Sequence, residues 1–145
     1  MKTRKEVSSG GIVFKKNGDK TLWLITQHSQ GKHWSFPKGL VGDSNENENT
    51  EAAALREVSE EGGIKAKIVF EKPIAVNYNY RFNQDLVKKT VYYYLMEYIS
   101  GDPMNHDWEV SEAKFVSEDK VEKIITYQTD KSAFSQILLI FKSLK

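Results

Sequence analysis

The sequence predicts a single α/β domain, and three observations lead there. A chain of 145 residues suits one domain and leaves too little for two, so the domain is expected to occupy residues 1–145. Segments with strand character and segments with helical spacing alternate along it, as in a sheet with helices packed on its faces. Hydrophobic residues at 39% can fill a core without covalent staples, and with no cysteine in the chain there are neither disulfides nor thiolate metal sites.

Residues 7–14 read as the first strand, β-branched in its second half and opened by the small run Ser8-Ser9-Gly10-Gly11. The turn signal Asn17-Gly18-Asp19 leads to a second strand at 22–26, giving a hairpin. Residues 31–49 read as a long loop containing Pro37, three glycines and the polar run Asp43-Ser44-Asn45-Glu46-Asn47-Glu48-Asn49. A loop of that length in a small domain is more often functional than idle. Thr50 is expected to cap a helix of good helix formers, Glu51 to Leu55 leading, that ends at Gly62-Gly63. Residues 69–80 and 87–99 are β-rich and joined by the turn-like Phe82-Asn83-Gln84-Asp85, and 114–116 is a short strand. A last helix is expected over 134–144, with Phe134, Ile137, Leu138 and Phe141 at three- and four-residue spacing.

Charged residues make up 28% of the chain yet nearly cancel, to a net charge of +1. That balance supplies no field for holding a polynucleotide, so no stable nucleic-acid complex is expected, while a small anionic ligand remains open. No apolar run follows the charged start Met1-Lys2-Thr3-Arg4-Lys5-Glu6, and nothing approaches the roughly 20 apolar residues of a membrane span. The expectation is a soluble, cytoplasmic protein with no membrane partner, as a monomer or a homodimer.

The most informative stretch is Arg56-Glu57-Val58-Ser59-Glu60-Glu61-Gly62-Gly63-Ile64. Glu57, Glu60 and Glu61 stand at i, i+3 and i+4, so a helix puts three carboxylates on one face. Each like-charge pair costs an isolated helix roughly 0.2–0.5 kcal/mol, and the carboxyl end of a helix dipole disfavours anions as well. A bound cation would offset both penalties. Oxygen ligands without cysteine or a neighbouring histidine select a hard ion, Mg²⁺ first and Mn²⁺ as its substitute. A merely solvated acidic face would have the same spacing, and Arg56 would then be an ordinary ion-pair partner.

The wider pattern separates these alternatives. From Gly42 the chain runs Gly-x5-Glu-x7-Arg-Glu-U-x-Glu-Glu-x-Gly-U, with U aliphatic, through Glu48, Arg56, Glu57, Val58, Glu60, Glu61, Gly63 and Ile64. This resembles the complete Nudix box. The resemblance implies an α/β/α sandwich with a mixed central sheet, and Mg²⁺-dependent hydrolysis of a phosphoanhydride in a nucleotide-derived substrate by metal-activated water. It implies that Glu57, Glu60 and Glu61 are metal ligands, that Arg56 orients them together with Glu48, and that Gly63 lets the chain leave the helix. Related proteins draw the first box glycine from a Pro-Lys-Gly segment, which here supplies Gly39, while Gly42 satisfies the spacing. A three-residue insertion between Gly39 and Thr50 accounts for the difference, and either glycine can be the equivalent one. Glu109, before the 114–116 strand, is similar in place to a further metal-binding or basic glutamate of the family, with Glu112 its neighbouring alternative.

Segments outside the box resemble the asymmetrical diadenosine tetraphosphate (Ap4A) hydrolases, the bis(5'-nucleosyl)-tetraphosphatases, which release ATP and AMP. They are His33-Trp34-Ser35-Phe36-Pro37-Lys38-Gly39, Tyr80 at 17 positions beyond Gly63, and Lys89-Thr90-Val91-Tyr92-Tyr93-Tyr94. On that resemblance Lys38 and Lys89 are cations for a polyphosphate, Tyr80 is a platform for a base, and Arg81 and His33 are further substrate contacts. Plain packing would also explain Trp34 and the alternate tyrosines of 92–94. The competing substrates are a nucleoside triphosphate, as for an oxidised-dGTP sanitiser, and the 5' end of RNA. ADP-ribose hydrolases show a proline about fifteen residues past the box, whereas Pro73 comes too early. A nucleotide-binding module without catalysis would usually have lost a box glutamate, and all are present.

Overall fold

The computed structural model describes residues 2–42 and 45–144, so Asp43 and Ser44 of the polar run lie outside the described residues. Its spine is β1 (Thr3–Asn17), which turns at Gly18 (φ +67°) into β2 (Lys20–His28), the expected hairpin. Two short strands follow, β3 (Trp34–Ser35) against β2 and β4 (Lys38–Leu40) against β1. Then come α1 (Thr50–Gly62), β5 (Ile64–Ile68), β6 (Ile74–Phe82) and β7 (Asp85–Gly101). A 3-10 turn (Pro103–Asn105), β8 (Val110–Ser117), α2 (Glu118–Ile124) and α3 (Gln128–Ser143) complete the chain.

The sheet is mixed. β1 runs parallel to β7 from Thr3↔Leu86 to Phe14↔Glu97, and every other pairing is antiparallel. β7 is long enough to serve β6 with its first half and β5 with its second. Successive side chains of β1 go to opposite faces, as the pleat requires. Val13 joins Leu24, Ala54, Val58, Ile64, Tyr94 and Met96 beneath α1. Ile12 and Phe14 join Trp23, Ile25, Phe134, Ile137 and Phe141 beneath α3. Trp23 meets the rings of Phe134 and Phe141 edge-on, each at 5.2 Å between centroids. One helix on one face and two on the other make the α/β/α sandwich that the box resemblance implied.

Gly10 and Gly11 are small because the layers close there. A Cβ on Gly11 would stand 2.7 Å from Val58 Cγ2 and 2.8 Å from Met96 Sδ, and one on Gly10 would strike the Pro37 carbonyl of the crossing segment. Without those atoms Gly11 N–H donates to Pro37 O at 3.1 Å, and β4 lies flat along β1.

Several boundaries differ from expectation. The cap of α1 is Asn49, whose side chain accepts from Ala52 N–H at 2.8 Å. Thr50 is already helical and shares a hydrogen bond with Tyr94 OH at 2.8 Å. The segment expected as strand from 69 is divided: β5 precedes it, Pro73 interrupts, and β6 begins at Ile74. α2 was not expected, and α3 starts six residues before Phe134. β3 and β4 are too short to show periodicity; sheet edges elsewhere in the chain create them. Among the described residues no helix is long and apolar enough to cross a membrane.

Candidate active site

The carboxylate helix ends where the sequence placed its end. Gly63 adopts φ +73° and returns its N–H to Ser59 O at 3.0 Å. A side chain there is excluded twice over, by the left-handed backbone and by the 102–109 loop, since a Cβ would meet His106 N at 2.7 Å and Asp102 O at 2.8 Å. That loop is pinned to the helix end by Asp107 N–H donating to Glu60 O at 2.8 Å. Glu109 is thereby carried to the carboxylates, close enough to disfavour ionisation of both Glu57 and Glu61.

Arg56 is the hub of the site. Its Nε and Nη2 form a fork on Glu48, at 2.7 and 2.9 Å, and Nη1 reaches Glu57 Oε2 at 2.8 Å and Glu60 Oε2 at 3.3 Å. Nη2 also holds Leu40 O at 3.1 Å, fastening the end of β4 to the helix. The fork keeps the Glu48 carboxyl below its usual range, and the anions raise Arg56. Glu48 in turn accepts Gly42 N–H at 3.0 Å.

Burial pushes Glu57 up to about 7 against the pull of Arg56, with Glu60 and Glu109 adding to the rise. Burial likewise pushes Glu61 up to about 8, opposed by Lys38, whose N–H donates to Glu61 Oε1 at 3.3 Å. Two neighbouring carboxyls that resist ionisation at neutral pH are under-compensated by their own protein. Among the described residues no three acidic or histidine side chains are gathered closely enough to hold an ion as they stand. Arg56 and the Lys38 N–H hold the oxygens instead. The donor set nevertheless fits a hard divalent cation: adjacent carboxylates on one helix, short of positive charge, with a glycine backbone against them. Glu57, Glu60 and Glu61 would hold such an ion, with Glu109 within electrostatic reach.

The two candidate glycines divide the work. Gly39 is the one against the carboxylates, since a Cβ on it would fall on the Glu57 carboxyl group. Gly42 makes the turn, at φ +84°, that aims its N–H at Glu48. Gly39→Ala is therefore expected to lower turnover about 100-fold by displacing Glu57, while the melting temperature moves little because β4 is a short edge strand. Steady-state kinetics beside a thermal melt checks this.

Substrate candidates lie on the α3 face of the sheet. Glu6 and Lys89 are register partners, as are Lys89 and Tyr78, and Tyr80 OH donates to Glu6 Oε1 at 2.7 Å. Burial and then the nearby Lys38 lower Lys89, while Glu6 and Glu61 raise it, so the two lysines share one patch beside the metal-ligand candidates. His33 stacks on His28 at 5.0 Å and faces Tyr127 at 5.4 Å, and burial with Lys38 holds it below its usual range. A small cavity of about 20 Å³ runs between His28, His33, Ser35, Lys38 and Glu61. Arg81 alternates with Tyr80 along β6 and therefore emerges on the opposite face. Glu112 lies on β8 opposite Gln27 and pairs with Lys114 Nζ at 3.2 Å.

Sequence reasoning missed Glu6, Tyr78 and a buried network around Asp130. Asp130 accepts from Ser35 Oγ at 2.8 Å and from Tyr93 OH at 2.9 Å, although it belongs to an otherwise apolar helix face. Its signal was present, because 130 continues the 134–137–141 stripe backwards by one turn.

A mixed sheet between helices, with an acidic helix end facing a lysine patch, defines a class of α/β sandwich. The chain belongs to the NUDIX family, whose domain model matches residues 4–136. A protein of Mycobacterium tuberculosis (strain CDC 1551 / Oshkosh) named "Putative mutator protein MutT4" is 30% identical over 122 residues, covering 80% of this chain and 48% of that protein. The chain thus spans about half the length of the curated relative it matches. Among solved structures, a C. elegans Ap4A hydrolase binary complex is similar with a TM-score of 0.78 at 24% identity, covering 97% of this chain and 99% of the other. The NUDIX domain of Shewanella oneidensis NrtR, complexed with ADP ribose, is similar with a TM-score of 0.65 at 17% identity, covering 97% and 89%. At these identities the structural likeness speaks for the fold.

Proposed function

We propose that the protein is a Mg²⁺-dependent hydrolase of nucleotide phosphoanhydrides, and that its substrate is Ap4A, cut asymmetrically to ATP and AMP. The observation that carries this is the adjacency of two patches of opposite need. Glu57 and Glu61 are short of positive charge, and Lys89, buried and crowded by Lys38, is short of negative charge. A polyphosphate with its divalent ions supplies both.

Bound divalent ions would neutralise phosphate oxygens and acidify a water. The residues of the chain do the rest. Glu57, Glu60 and Glu61 hold the ions, and Arg56 fixes the directions of Glu57 and Glu60. Lys38 and Lys89 place the remaining phosphates, and Tyr80 offers its ring to a base. Glu109 takes a proton from the attacking water, which adds to phosphorus as the nucleotide leaves. Glu109→Gln is expected to cut kcat about 100-fold with KM within about twofold, and an unaltered kcat would remove it from the mechanism.

The test is turnover of Ap4A with Mg²⁺ in ¹⁸O-labelled water, with products separated and weighed. ATP plus AMP with one labelled product supports the proposal, and the labelled nucleotide identifies the phosphorus attacked. Pyrophosphate released from a nucleoside triphosphate instead would favour the sanitising activity, a second reading supported by the likeness to the mutator protein. Full turnover after thorough chelation would sink the metal-dependent account.

A further inference from the structure

The buried polar group of α3 has no part in the chemistry just described, yet it is connected to it. Asp130 is only 6% exposed, and no ion pair is formed by it among those described. Both its oxygens accept hydroxyl protons, Oδ2 from Ser35 and Oδ1 from Tyr93. A serine hydroxyl has a single proton. With that proton given to Asp130, the Ser35 oxygen is left as an acceptor, and Lys38 Nζ donates to it at 3.2 Å. The direction of this chain is thus set by its buried end: Lys38 to Ser35 to Asp130.

Lys38 is consequently held at two points, by its side chain to the α3 network and by its backbone N–H to Glu61. An unrestrained lysine keeps rotamer entropy, which a ligand must remove on binding. One donor of the ammonium group is spent on Ser35, and an ammonium carries two more that can turn to oxygens of a ligand.

We infer that Asp130, acting through Ser35, is a positioning residue that fixes Lys38 for binding a polyphosphate. This rests on the phosphate-binding role proposed for Lys38. The partner chemistry is that of linked phosphates, and Asp130 itself touches none of them.

The test is a double-mutant cycle read by calorimetric binding of inorganic tripolyphosphate with Mg²⁺, which needs no turnover. Asp130→Asn keeps size and polarity but removes the charge that orders the hydroxyl. It is expected to weaken tripolyphosphate binding about tenfold, the size of one charge-assisted hydrogen bond. Lys38→Met is expected to weaken it by at least as much, and adding Asp130→Asn to Lys38→Met should change nothing further. Ser35→Ala, which removes the middle hydroxyl, should behave as Asp130→Asn does and carries the test if that variant fails to fold. With nucleotide substrate, the loss should fall on KM rather than kcat. Equal tenfold losses in the presence and absence of Lys38, or no loss in either single variant, would overturn the inference. Wild-type protein that neither binds tripolyphosphate nor turns over any nucleotide would instead overturn the function on which it rests.

Discussion

Glu57→Gln should reduce Mg²⁺-dependent turnover by at least about 1,000-fold while leaving the fold intact. Glu57 is 5% exposed and burial has lifted its carboxyl to about 7, so the neutral amide resembles the state that the surroundings already favour. The amide oxygen can still accept from Arg56, but an amide is a poor ligand for a hard cation. The sign of the pH effect follows from the same shift. A carboxyl raised from 4.5 to about 7 on folding contributes stability fully present below 4.5, and that contribution is lost as pH rises through 7. Metal-free wild-type protein should therefore lose melting temperature between pH 5 and 8 more steeply than Glu57→Gln. Melts in chelator across that interval, with kinetics on the same preparations, check both halves. A variant of full activity would remove Glu57 from the site.

Arg56→Met is expected to be the change within the site that costs most stability. The guanidinium is 17% exposed and joins Glu48, Glu57, Glu60 and the Leu40 carbonyl, with the Glu48 and Glu57 side chains at 7% and 6%. Removing the cation leaves two shielded carboxylates facing each other. Breaking such an arrangement costs about 2–4 kcal/mol, reduced here from the fully buried case because Glu60 remains open to water. For a chain of this size that lowers the melting point by roughly 5–15 °C. Arg56→Lys should recover only part of it, because an ammonium cannot form the fork on Glu48 while reaching Glu57. Thermal melts of the two variants, compared with Glu48→Gln, measure the contribution.

Much of this site was legible before any coordinates. The box spacing, the helix from 50 and its glycine stop, and the pairing of Arg56 with Glu48 are local matters, settled by residues within one or two turns of each other. So is the hairpin at Gly18. What escaped was made by distant partners. β3 and β4 exist only because the edges of β2 and β1 accept them. The alternation Ile64-Ala66-Ile68 marked β5, but the lysines between hid it beside the richer segment that follows. Asp130 stood out as a polar break in the α3 stripe, but its role was hidden because its partner Ser35 lies 95 residues away. Arg81 follows Tyr80 in the chain yet emerges on the other side of the sheet, because successive strand residues alternate. Gly39 and Gly42 could not be ranked by counting, since one lies against a carboxyl group and the other shapes a turn.

β1 sorts its residues by parity. Odd positions face the carboxylate helix: Ser9 Oγ donates to Thr50 O at 2.7 Å, and Gly11 lies under Val58. Even positions face α3 and the lysine patch: Glu6 accepts from Tyr80 OH beside Lys89, and Gly10 admits Lys38. A point change on β1 disturbs one face alone, whereas deletion of one residue would exchange the two faces along the whole strand.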